Sequence, residues 1–201
     1  LAVGGAGKGR VRVWTAARGK AARKAGAEQV SCGAPMLTAF IKFGDGQISR
    51  ETSEQALSAA LRDPDAVLWL DMEKPTDEEL ALLDDVFGFH PLAIEDTIQY
   101  VQRPKIESYA HTGDALKHGY FYMVIHGPDV QTFKEKLRTK ELDCFVSQQY
   151  LVTVHDEHFR SVGEVLERAT TDPRVVLDAG IDMLLHGILD RLVNHSLPIL
   201  E

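Results

Sequence analysis

From Met36 onward the chain alternates between β-prone runs and segments with helical spacing. Leu37 to Phe43 reads as a strand closed by the turn Gly44-Asp45-Gly46, and Ser53 to Leu61 places Ala56, Leu57, Ala60 and Leu61 on one helical face. Asp63-Pro64-Asp65 breaks the chain before a buried-type strand, Ala66 to Asp71. Thr76-Asp77-Glu78-Glu79 is a capping box predicting a helix through about Val86, ended by Gly88. Pro91 suits the first turn of a short helix carrying Leu92, Ile94, Glu95 and Asp96, and Arg103-Pro104 then forces an extended path.

The pattern turns to β after that break. Strands are predicted at Lys105 to Tyr109, Gly119 to Ile125, Thr132 to Arg138, Glu141 to Ser147 and Tyr150 to His155, with connections short enough for antiparallel neighbours. Two helices follow, one over His158 to Ala169 and one capped by Asp172, with Pro173 in its first turn, running to the C-terminus. These elements predict a mixed sheet with helices packed on it.

Composition narrows the class. The 201 residues are 44% hydrophobic and 26% charged, as in a folded domain. Apolar runs such as Ala66 to Leu70 are far too short for a bilayer, which needs ~20 apolar residues. Cys32 and Cys144 are too few for a disulfide framework, which fits a reducing, cytosolic setting. The formal charge of −8 is uneven. Residues 1–35 carry seven basic residues against Glu28, lack periodicity, and predict a flexible basic extension, whereas residues 36–201 hold 15 basic and 29 acidic residues. So acidic a body disfavours nucleic acid and attracts cations. Gly4 to Gly9 has phosphate-loop texture but neither the preceding strand nor the final hydroxyl.

Candidate chemistry is confined to polar clusters. Asp178, Asp182, His186, Asp190 and Asn194 recur every four residues on the last helix, a ridge that either meets water or offers oxygens to a cation or another subunit. His155-Asp156-Glu157-His158 holds ligand-type residues, yet its histidines lie three apart at a strand end, and a polar connection with an acid capping the next helix explains it more simply. Cys144 sits in a strand with nothing nearby to make it a thiolate. Glu95 and Asp96 point about 100° apart on a helix, so one ion would need further ligands to use both. No nucleophile motif argues for an enzyme.

Phe87-Gly88-Phe89-His90-Pro91-Leu92-Ala93-Ile94-Glu95-Asp96, followed by Gln102-Arg103-Pro104-Lys105-Ile106-Glu107-Ser108-Tyr109, closely resembles the cytoplasmic-domain signature of the CorA family of magnesium and cobalt transporters. Tyr150 to His155 is similar to the family's next strand, and Leu184 to Asp190 with Leu197 to Glu201 to its approach to the stalk helix. The resemblance covers residues 36–201. It implies an α/β/α sandwich with a mixed, partly antiparallel sheet, ending in helices that lead to a stalk, in a homopentameric membrane protein whose cytoplasmic portion this would be. It further implies a regulatory divalent ion on Asp96, with Glu95 a weaker candidate and Asp190 at a neighbouring metal position. Mg2+ is implied as regulatory and transported ion, with Co2+ or Zn2+ as alternatives. The family's membrane helices and Gly-Met-Asn loop are not in this sequence, so the chain is expected to be an excised regulatory portion, with membrane attachment through a missing C-terminal segment. A related zinc transporter, or a soluble metal-dependent hydrolase using the His155 to His158 cluster, are the alternatives.

Overall fold

The computed structural model describes residues 36–101, 103–110, 119–128 and 138–200. The expected extension over residues 1–35 and the strand over Thr132 to Arg138, apart from Arg138 itself, lie outside them.

Seven strands form one mixed sheet among the described residues: β1 (Met36–Lys42), β2 (Ile48–Ser49), β3 (Val67–Glu73), β4 (Lys105–Tyr109), β5 (Tyr120–Pro128), β6 (Thr139–Val146) and β7 (Tyr150–His155). Their order is β2-β1-β3-β7-β6-β5-β4. Only β3 and β7 pair in parallel, with Asp71 opposite Thr153 and Glu73 opposite His155. Strands β4 to β7 pair antiparallel in chain order, and the three residues between β6 and β7 are too few for any other pairing of those two.

Alternation along the strands builds two cores. Leu68, Leu70, Met72, Tyr122, Phe145, Tyr150 and Val152 face α1 (Glu54–Arg62), α2 (Asp77–Leu80), α3 (Leu82–Asp85) and α4 (Pro91–Ile98). Phe40, Trp69, Leu142, Cys144 and Leu151 face the other way, against α5 (Arg160–Thr171), α6 (Arg174–Leu177) and α7 (Ile181–Leu200). The result is the expected α/β/α sandwich.

Three local expectations need correction. The capping box at Thr76 forms, with Glu79 N donating to Thr76 Oγ1 at 3.2 Å and Thr76 N to Glu79 Oε2 at 2.7 Å, but the helix is interrupted at Ala81 and continues as α3. The helix expected from Asp172 to the C-terminus is two: α6 stops at Leu177, and Gly180 turns the chain at φ +88° before α7. Asp178 therefore leaves the α7 ridge and pairs instead with Lys42 Nζ at 2.8 Å. No acid caps α5; its N-cap is Phe159, without a side-chain hydrogen bond.

Candidate functional site

Aromatic anchoring sets the position of α4. Phe87 and Phe89 are fully buried, and Phe89 stacks on Phe145 with ring centroids 4.1 Å apart. Between them Gly88 takes φ +62°, the left-handed turn that lets both neighbours enter the core. His90 caps the helix, its Nδ1 accepting from Leu92 N at 3.2 Å, and Pro91 fills the first turn, where no N–H is needed. The His90 N–H donates to Tyr120 Oη at 2.7 Å, tying the start of α4 to β5. Ala93 and Ile94 bury the inner face of α4.

Glu95 and Asp96 diverge, as helical geometry requires. Glu95 is exposed and accepts from Gln99 Nε2 at 3.0 Å. Asp96, with its side chain 34% exposed, holds Lys105 Nζ at 2.5 Å from Oδ2. That ammonium also lies 3.2 Å from Glu107 Oε1 and 5.2 Å from the Tyr122 ring centroid. Burial alone would lower the Lys105 pKa, but its hydrogen bonds to Asp96 and Glu107 outweigh this and raise it. Glu107 is held below the usual carboxylate range, first by the Tyr109 hydroxyl, which donates at 2.7 Å, then by Lys105. A cavity of about 430 Å³ opens beside the group, lined by Leu92, Asp96, Glu107, Ser108 and Tyr109.

Beneath α4 lie two carboxylates that the sequence reading did not single out. Tyr122 Oη donates to Asp143 Oδ1 at 2.6 Å and lies 3.3 Å from Thr97 Oγ1, one residue beyond Asp96. Burial pushes Asp143 well above the ordinary aspartate range. Glu141 Oε2 accepts from Val101 N at 2.8 Å and sits 3.6 Å from His126 Nε2; burial, then the charges of Asp156 and Asp96, push its pKa up to about 7. Strand alternation was the available signal: Glu141, Asp143 and Phe145 share the face of β6 that meets this core.

The remaining candidates separate. Asp182, His186 and Asp190 lie on an exposed face of α7, where Asp190 Oδ2 accepts from Asn194 Nδ2 at 3.2 Å. Because α4 and α7 cover opposite faces of the sheet, Asp96 and Asp190 of one chain cannot share an ion. The His155 to His158 cluster does not assemble as a metal site. His155 is buried against Asp71 (Nε2 to Oδ1, 3.2 Å), whereas His158 is 66% exposed and lies 3.4 Å from Glu73. Cys144 is fully buried in the core. Among the described residues no group of three or more His, Cys, Asp or Glu could by itself hold a metal.

Fold and site define an α/β/α domain that carries, at its surface, the carboxylates of Asp96 and Glu107 bridged by the Lys105 ammonium. The family model described as "CorA-like Mg2+ transporter protein" matches residues 64–201. The chain belongs to that family. It is 38% identical over 131 residues to "Putative metal ion transporter YfjQ" of Bacillus subtilis, covering 65% of this chain and 37% of that protein. It is 25% identical over 160 residues to the cobalt/magnesium transport protein CorA of Methanocaldococcus jannaschii, covering 79% and 46%. The chain thus spans less than half of either relative. Both are named as transporters and not as enzymes. The soluble domain of M. jannaschii CorA superposes with a TM-score of 0.58 at 20% identity, over 81% of this chain and 58% of that one. The ZntB cytoplasmic domain of Vibrio parahaemolyticus follows at 0.53 and 14%, over 77% and 56%. At these identities the likeness is one of fold. No helix of the described residues is long and apolar enough to cross a membrane.

Proposed function

We propose that this chain is the cytoplasmic, divalent-cation-sensing part of a magnesium transporter, anchored in the membrane by a further segment and assembled as a homopentamer, with Mg2+ as both regulatory and transported ion. The observation that carries this reading is Asp96: a part-exposed carboxylate lining a cavity, already seating a cationic group, with too few ligands among the described residues to complete a metal shell. An adjacent subunit would supply the rest. The oxygen donors suit a hard cation, which keeps several waters and takes one or two carboxylates. Glu95 would reach such an ion only by a side-chain rearrangement, and Asp190 would serve a separate position on the α7 face.

The mechanism is electrostatic. An ion shared between acidic surfaces screens their repulsion and favours the closed assembly; its loss restores the repulsion and shifts the population towards the open one. Replacing Asp96 by Ala in the full-length transporter and following protease resistance against MgCl2 tests the reading, because protection identical to wild type removes Asp96 from the scheme. Repeating the titration with CoCl2 and ZnCl2 identifies the preferred ion, which a shared fold with ZntB does not select.

A further inference from the structure

We propose that Lys105 is a tethered cation that occupies the Asp96 and Glu107 carboxylates in the ion-free domain and competes with the divalent ion for them, so that Lys105 sets the ion concentration at which the site fills. This rests on the reading of Asp96 as an ion ligand.

The geometry is that of a seated ion. The ammonium lies 2.5 Å from Asp96 Oδ2 and 3.2 Å from Glu107 Oε1, bridging carboxylates from a helix and a strand. Glu107 is not free to follow it, since its second oxygen is held by Tyr109 Oη at 2.7 Å. Two carboxylate oxygens converging on one positive centre are also what a hard cation needs for the protein part of its shell.

Exchange is physically open. Asp96 and Glu107 are 34% and 42% exposed and border the cavity, so a hydrated ion can approach. The Lys105 ammonium, on a flexible stem and itself 25% exposed as a side chain, can swing from the carboxylates and the Tyr122 ring into water. With Lys105 seated the carboxylate pair keeps one uncompensated negative charge; without it, two. A dication therefore meets a weakened site, and a monovalent ion gains nothing over the ammonium already there. The lysine raises the threshold for filling and favours charge-dense ions.

The test uses the full-length transporter, chymotrypsin to avoid cleavage at Lys105 itself, and MgCl2 as the probe. Lys105→Gln is expected to move the midpoint of Mg2+ protection to a roughly tenfold lower concentration, the effect of one nearby charge in a half-exposed setting. Lys105→Arg, which keeps the charge, is expected to stay near the wild-type midpoint. If Lys105→Gln does not fold, Lys105→Met, which keeps an unbranched stem of similar length without the charge, is judged by the same shift. An unmoved or raised midpoint in the neutral variant, or an equal shift in Lys105→Arg, overturns the competition; if Asp96→Ala still abolishes protection, the reading of Asp96 stands. Wild-type protein without Mg2+ protection, or protection indifferent to Asp96→Ala, overturns both.

Discussion

Asp71 and His155 meet across the parallel strands β3 and β7, each side chain 1% exposed, with His155 Nε2 3.2 Å from Asp71 Oδ1. The other ring nitrogen lies 2.8 Å from the Glu157 carbonyl, so both face acceptors, the arrangement an imidazolium satisfies. Burial alone would lower the His155 pKa, but the Asp71 charge and hydrogen bond, with the Glu157 carbonyl, outweigh it and raise it. A histidine raised on folding contributes stability that is complete below its unfolded pKa of about 6.5 and is lost as pH rises through the folded value. Stability should fall above that pH, and His155→Gln should flatten the fall. Asp71→Asn leaves a buried cation unpaired and should cost about 3–5 kcal/mol at pH 6 by urea denaturation. A variant as stable as wild type would show that no charged pair is buried there.

Glu141 gives a second, lower pH window. Its neighbours are His126 on β5, the Val101 N–H, Asp143 on its own strand, Asp96 on α4, Asp156 beyond β7, and Lys105 on β4 as the compensating charge. A carboxyl raised from about 4.5 unfolded to about 7 folded is most favourable when protonated, so stability falls as pH rises from about 4.5 to 7. Glu141→Gln keeps an acceptor for Val101 and carries no proton to lose. It should reduce the slope by about one proton and stabilise the protein at pH 8 by about 2 kcal/mol relative to wild type. Unchanged pH dependence in the variant would place the titration elsewhere.

Most elements were legible because their signals are local. Ser53 caps α1, the Thr76 box forms, and β4 and β7 keep the bounds that alternation and flanking turns predicted. Chain-distant relations were not legible. Gly180 could end a helix or be tolerated within one, and only packing of α6 and α7 on the sheet decides that it breaks the ridge after Asp178. The two residues of β2 are too few for any periodicity. At the candidate site Asp96 was identified through the family resemblance, since an acidic pair by itself says only that a surface is charged. Lys105 has no role legible in the motif, because its partner lies nine residues away across the Arg103-Pro104 break.

Asp143 differs from Asp71 in its partner, a phenol and not an imidazole. Both are nearly fully buried, but burial holds Asp143 well above the ordinary aspartate range, which favours the neutral acid, and its Oδ1 accepts from Tyr122 Oη. Asp143→Asn keeps that oxygen and mimics the neutral acid, so its urea midpoint at pH 7 should correspond to a loss below about 1 kcal/mol. Asp143→Ala strands the phenol and should cost about 1–3 kcal/mol. An Asn variant as damaged as the Ala variant would mean that Asp143 is ionised.

The 2.7 Å bond from the His90 N–H to Tyr120 Oη offers the sharpest test of how the aromatic segment aims Asp96. Tyr120→Phe keeps the ring, which lies 4.7 Å from Phe89 and 5.3 Å from Tyr109, and removes only the acceptor for the N–H that precedes α4. The loss of one partly buried hydrogen bond should cost about 1–2 kcal/mol in thermal unfolding. Phe89→Ala instead empties the stack on Phe145 and should cost about 3–5 kcal/mol. If α4 is aimed by this bond, Tyr120→Phe should weaken Mg2+ protection of the full-length protein beyond its effect on stability, since a carboxylate displaced by an ångström loses much of its value as a ligand. Mg2+ protection equal to wild type alongside lower thermal stability would assign Tyr120 to folding alone.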